Sequence, residues 1–215
     1  MSGRLAAWAV LVGALTAVNY AVRATGGKPP ENTVYDYGAA AGAIVLYGIV
    51  LGIVLAVARG GPARTLLALR APASWRLALG LAIGVLIGIE ILGVALEPVL
   101  HAGREQGLTP SGWDPDRAGA YAANFLVLAV VGPVVEELLF RGAGFSLLTR
   151  FGPAVAVGAV GLAFGLVHGL VEGLPILVAF GIGLTYLRSR TGSVYPGILL
   201  HVAFNALALV LAVTT

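Results

Sequence analysis

Three short stretches set polar groups inside otherwise apolar runs. Glu136, Glu137 and Arg141 stand in "VVEELLFRG", Phe164 and His168 in "FGLVH", and His201 and Asn205 in "HVAFN". Glu137 and Arg141, Phe164 and His168, and His201 and Asn205 are each four residues apart, so on helices each pair shares a face. Glu137 and Arg141 can pair as ions within one helix. A carboxylate and an imidazole around one water can activate it by general-base catalysis. A second imidazole and an amide N–H can stabilise the oxyanion that then forms on a carbonyl. Glu136, His168, His201 and Asn205 supply that set. Glu136, His168 and His201 are equally a donor set for a divalent metal such as zinc, with water completing the shell. Either arrangement hydrolyses an amide inside a membrane.

Other hydrolytic chemistries lack their residues. The chain has no cysteine, which removes thiol nucleophiles, disulfides and Cys-based zinc sites. It has no His-Glu-x-x-His, no Gly-x-Gly-Asp, and no Gly-x-Ser-Gly, since Gly144-Phe-Ser146 is followed by leucine. A charge at mid-membrane costs at least ~2.5–3.5 kcal/mol on insertion scales, so each intramembrane ionisable group calls for a reason. Bland reasons exist. Glu137 with Arg141 can be a purely structural ion pair, Asn205 can be interhelical glue, and Phe164 can be packing. Glu90, in "GIEILG", has no motif around it. Glu97 precedes Pro98 near an expected interface, and His101 lies in a polar connection.

The chain of 215 residues is 59% hydrophobic and 11% charged, against about 25% charged residues in soluble domains. An all-α, multi-pass bundle in the cell membrane follows, as a single membrane domain over 1–215 with its motif-bearing core at about 119–213. A span needs ~20 apolar residues, and lipid offers loose backbone groups no partners. Seven segments fit this requirement or nearly so: 5–22, 37–58, 77–100, 119–148, 153–171, 174–187 and 195–213. The first, after Arg4, is longer than a signal-peptide core and reads as a retained anchor. The fourth is too long for one straight span and should bend at Gly132-Pro133. Glu136 and His168 lie sixteen residues on either side of Gly152, which brings them to one depth on antiparallel helices, ~24 Å along each axis. His201 joins them only if the connection before the seventh segment is sunken. Arginines concentrate in 59–76 and 188–194, which points to a cytoplasmic N-terminus and a site nearer the opposite leaflet. No basic stripe interleaved with aromatics is present, so no nucleic-acid partner is expected.

Glu-Glu-x-x-x-Arg, Phe-x-x-x-His and His-x-x-x-Asn, in this order on three helices, resemble the CPBP family: type II CAAX prenyl proteases and bacteriocin-processing or abortive-infection proteins. The flanking "TGSVYPGILLH" is also similar. The resemblance covers about residues 119–210. It implies that Glu136 activates the water with help from His168, and that His201 and Asn205 form the oxyanion site. It further implies that Glu137 and Arg141 organise the first helix and that Phe164 shapes the pocket. The family has been described both as metalloproteases and as glutamic proteases; Asn205 beside His201 favours the metal-independent version. The implied partner is a membrane-associated peptide or protein substrate, lipidated in the prenyl-protein branch. Two rival readings are a non-catalytic membrane scaffold of the same fold and a transporter or proton relay. The motifs are intact, which argues against the first. No paired halves are visible, which argues against the second.

Overall fold

The computed structural model describes residues 2–26, 32–59, 61–100, 110 and 112–214, and His101 lies outside them. Among the described residues every regular element is helical. Seven helices carry the chain: α1 (Ser2–Thr25), α2 (Tyr37–Ala58), α3 (Trp75–Leu100), α4 (Pro115–Phe151), α5 (Pro153–Leu166), α6 (Leu174–Thr191) and α7 (Tyr195–Thr214). Five of them, α1 to α4 and α7, are long and apolar enough to cross a membrane. Large apolar side chains such as Val10, Val94 and Leu199 point outward, bare of protein, as lipid-facing positions of a bundle do. The protein is an integral, multi-pass membrane protein.

The fourth helix is the hub. In α4, 39% of the most apolar window is buried inside the protein, against 11% in α1 and in α3. It bends by changing its winding. A π-helical turn over Val127–Val131 ends just before Gly132-Pro133. Proline lacks a backbone N–H and its ring crowds the carbonyl four residues back, and wider winding there relieves both. A second π segment, Leu138–Gly144, follows the two glutamates and contains Arg141. π turns concentrate at functional sites because they re-aim side chains.

Two expectations need correction. The fifth segment was expected to remain helical to residue 171, but α5 stops at Leu166. Gly169 takes φ 66°, a left-handed conformation that ends the helix. His168 therefore sits in a turn beyond α5, not on its face. The sixth helix is longer than the expected 174–187 run, reaching Thr191, where Gly192 at φ 71° closes it.

α5 and α6 pack closely through Gly161 and Gly165 on one and Gly181 on the other. A Cβ on Gly181 would lie 2.6 Å from the Gly161 carbonyl oxygen, so small residues are required at this crossing. The connection before α7 is buried inside the protein. Ser193 and Val194 are fully buried, with the Ser193 hydroxyl donating to the Arg70 carbonyl and the Val194 N–H to that of Ala68.

Candidate active site

Glu136 and Glu137 leave α4 in different directions, and their surroundings separate their roles. Glu137 is fully buried. Its Oε1 accepts from Arg141 Nη1 at 2.8 Å and lies 3.1 Å from His201 Nδ1. Arg141, also fully buried, donates from Nη2 to the Gly181 carbonyl on α6 at 2.9 Å. Its guanidinium carbon stands 4.3 Å from the centre of the Phe164 ring, a cation–π contact that desolvation strengthens. A Cβ on Gly197 would collide with Glu137 Oε2, so the glycine before "ILLH" makes room for the carboxylate. This ion pair ties α4, α5, α6 and α7 together.

Glu136 faces the other way. The Tyr47 hydroxyl of α2 donates to its Oε1 at 2.9 Å. Its Oε2 is buried with no hydrogen-bond partner. That atom lies 4.0 Å from His168 Nε2 and 3.9 Å from His201 Nε2. The three side chains that the depth argument brought together therefore do meet. Side-chain exposure is 27% for His168, 17% for Glu136 and 3% for His201, so the cluster opens on the His168 side and closes toward Glu137.

The imidazole orientations follow from their other contacts. His168 Nδ1 lies 2.7 Å from the Phe164 carbonyl oxygen. A carbonyl only accepts, so Nδ1 carries the proton and Nε2 turns its lone pair to Glu136. His201 Nδ1 is held against the Glu137 carboxylate in the same manner. Phe164 is 1% exposed and touches both imidazoles, with ring centres 4.7 Å from His168 and 5.6 Å from His201. Phe180 of α6 covers His201 edge-on at 5.4 Å. Asn205 is one helical turn beyond His201, and its Nδ2 donates to the Leu128 carbonyl at 3.0 Å, within the first π turn. One of its two amide hydrogens is thus committed to α4. Glu90 and Glu97 lie exposed on α3, outside the cluster.

Sequence reasoning missed Tyr47, Phe180 and the carbonyl of Gly181. Tyr47 had a signal: it stands in the middle of an apolar run, whereas membrane tyrosines favour the interfaces. Its place depends on Gly132, where a Cβ would come within 2.7 Å of the Tyr47 hydroxyl oxygen. The contacts that α1 makes with the site were also missed. Asn19 Nδ2 donates to the Val167 carbonyl, and the Tyr20 hydroxyl donates to that of Leu170 at 3.0 Å. These bonds grip the turn on both sides of His168. Trp8 Nε1 donates to the Leu139 carbonyl at 3.0 Å inside the second π segment.

Residues 118–207 match the Rce1-like family, described as type II CAAX prenyl endopeptidase Rce1-like. Over 89 residues, 40% of this chain, the sequence is 30% identical to the "Putative membrane peptidase YdiL" of Bacillus subtilis (strain 168). The match spans about a third, 36%, of that relative's length. No solved structure matches. The matched segment contains Glu136, Glu137, Arg141, Phe164, His168, His201 and Asn205, and over that stretch the chain is similar to the Rce1-like family.

Proposed function

We propose that the protein is an intramembrane endopeptidase in which Glu136 activates a water for attack on a peptide bond. The observation that carries this is the buried, unpartnered Oε2 of Glu136, 4.0 and 3.9 Å from two imidazole Nε2 atoms. These gaps are too long for direct hydrogen bonds and suit one bridging water. A water about 2.8 Å from both atoms of such a pair holds an angle of about 90° at its oxygen. Glu136 takes one proton as the water oxygen adds to the carbonyl carbon, and His168 Nε2 accepts the water's other hydrogen bond. The C–N bond then breaks, and the proton held by Glu136 goes to the leaving nitrogen. One water is consumed, with one carboxyl and one amine released.

Tyr47 fixes the carboxylate so that Oε2, not Oε1, is the free oxygen. The oxyanion is assigned to the amide hydrogen of Asn205 that Leu128 leaves unused and to His201, which donates from Nε2 only as the imidazolium, with its Nδ1–H kept on Glu137. Aromatic walls at Phe164 and Phe180 exclude bulk water and strengthen each of these interactions.

A divalent metal has chemically suitable donors in Glu136, His168 and His201. Their spacing does not suit one. Zinc ligands at about 2.0–2.1 Å stand about 3.3 Å apart in a tetrahedron, narrower than the 3.9 and 4.0 Å here. No group of three His, Cys, Asp or Glu among the described residues has metal-holding geometry. The metal-independent reading rests on that spacing. The substrate is a membrane-associated peptide or protein, with lipidated chains among the candidates from the family description.

The test is purified protein incubated with a library of membrane-segment and prenylated peptides, read by mass spectrometry, beside Glu136→Gln and a chelator arm. Cleavage that is lost in the variant and survives the chelator supports the proposal in full. Loss with chelator would replace the water-only mechanism by a metal-assisted one. Full activity in Glu136→Gln would overturn the assignment of the base.

A further inference from the structure

The end of the bundle away from the His168 turn carries a second built feature. The start of α1, the 59–76 connection, residues 149–152 and residues 188–194 hold eight arginines and no acidic residue. They are stitched together there. Arg4 donates to the Arg59 carbonyl at 2.6 Å, Arg70 Nε to that of Gly192 at 2.8 Å, and the Ala73 N–H to that of Thr191 at 3.1 Å. Between them lies a pocket of about 470 Å³ whose polar lining is Arg4, Arg70, Arg188, Thr65, Ser146 and Thr149. Phe145 and Leu66 add apolar wall. Ser146 follows Glu136 by ten residues, about 15 Å of helix, so this pocket is separate from the glutamate–histidine cluster.

Arg188 is the unusual member. It is 7% exposed, and its Nε is buried with no hydrogen-bond partner. Its one aromatic neighbour is Phe145, 5.2 Å from the guanidinium carbon, and no carboxylate pairs with it among the described residues. Burying a guanidinium without a counter-charge is costly. Bringing Arg4 and Arg70 to the same pocket adds like-charge repulsion. Three guanidiniums and the hydroxyls of Thr65 and Ser146 around one cavity form the donor set for a phosphate, the Thr149 hydroxyl being given to the Ser146 carbonyl, and arginine forks match its oxygens.

The geometry points to a binding site for the phosphate headgroup of an anionic phospholipid, between the ends of α1, α4 and α6. A lipid source is favoured over free phosphate by position: the pocket lies at the arginine-rich end of membrane helices, with Phe145 and Leu66 beside it to meet the glycerol and upper chains. The bound phosphate supplies the charge Arg188 lacks and ties α1 to the catalytic helix α4. The site is independent of the hydrolytic reading.

The test uses the full chain reconstituted in nanodiscs of phosphatidylcholine containing a minority of phosphatidylglycerol, with retained lipid counted by native mass spectrometry. The wild type is expected to keep one phosphatidylglycerol in excess of its share, and Arg70→Gln/Arg188→Gln to lose that retention by about tenfold. Arg4→Gln/Arg70→Gln, which spares the buried arginine, should show a smaller loss and guards against a folding defect. Arg64→Gln/Arg150→Gln removes two exposed arginines outside the pocket and should change nothing. Retention that ignores the pocket variants, or falls equally with the control pair, would overturn the site. A separate arm measures thermal stability in detergent with inorganic phosphate against chloride at equal ionic strength. Stabilisation there without lipid retention in nanodiscs would overturn the lipid source and leave an ion site.

Discussion

The helices from α4 onward and the three before them contribute differently to the same cluster. The later helices carry the charged and imidazole groups, and they meet one another side chain to side chain: Glu137 with Arg141 and His201, and Phe164 with both imidazoles. The earlier helices mostly reach the cluster through backbone. Trp8, Asn19 and Tyr20 all donate to main-chain carbonyls of the later half, and Tyr47 is the exception that touches a reactive group. A carbonyl is present at every residue, so such a bond constrains only one of its two partners' identities. The chemistry-bearing half is therefore readable as motifs, and the supporting half is not.

The comparison breaks hardest at Glu136. Glu136→Gln keeps the shape and the Tyr47 contact but removes the base, and peptide hydrolysis should fall by about 10²–10⁴-fold with thermal stability near that of the wild type. A neighbour one position away should behave in the opposite sense. Arg141→Met leaves Glu137 buried without its guanidinium, with only the His201 imidazole against it, and should cost about 3–5 kcal/mol of stability. The pair Glu137→Leu/Arg141→Met should recover much of that loss without recovering activity, since His201 loses its partner. Unfolding in mixed detergent micelles reads both. If Arg141→Met is as stable as the wild type, the ion pair is not what joins the four helices.

Much of the arrangement was legible because lipid permits so few solutions. Unbroken apolar runs had to be helices, and equal distances from Gly152 set Glu136 and His168 at one level. The end of α5 was not legible, because "LVHGLV" continues the apolar run past Leu166. What stops the helix there is the left-handed Gly169 together with carbonyls taken up by Asn19 and Tyr20, more than 145 positions away. The π turns were hidden for a related reason. Gly132-Pro133 announces a disturbance but not its form, and nothing local marks Leu138–Gly144.

Tyr47→Phe sharpens the contrast on the side of the early helices. The ring stays against Gly132 and only the donor to Glu136 Oε1 is lost. A hydrogen bond to a charged group is worth about 1.5–3 kcal/mol, so kcat should fall by about 10- to 100-fold while KM stays within about twofold. A change confined to KM would make Tyr47 a wall of the substrate path instead of a support for the base.

The smallest effect tests whether α1 positions His168 at all. Asn19→Ala strips the Val167 carbonyl of its donor, and Tyr20→Phe does the same to Leu170. Each leaves the imidazole and its bond to Phe164 intact, so the turn loosens without losing its chemistry. A misplaced catalytic group costs rate steeply with distance, but one of two anchors remains in each variant, and a loss of about threefold in kcat is expected for either alone. A merely structural α1 would lower stability and leave the kcat of the folded fraction unchanged. Positioning predicts more: the double variant should lose more than the product of the two single losses, because the turn then has neither anchor. Multiplicative losses would mean that the two bonds act on the fold separately and that α5 holds His168 by itself.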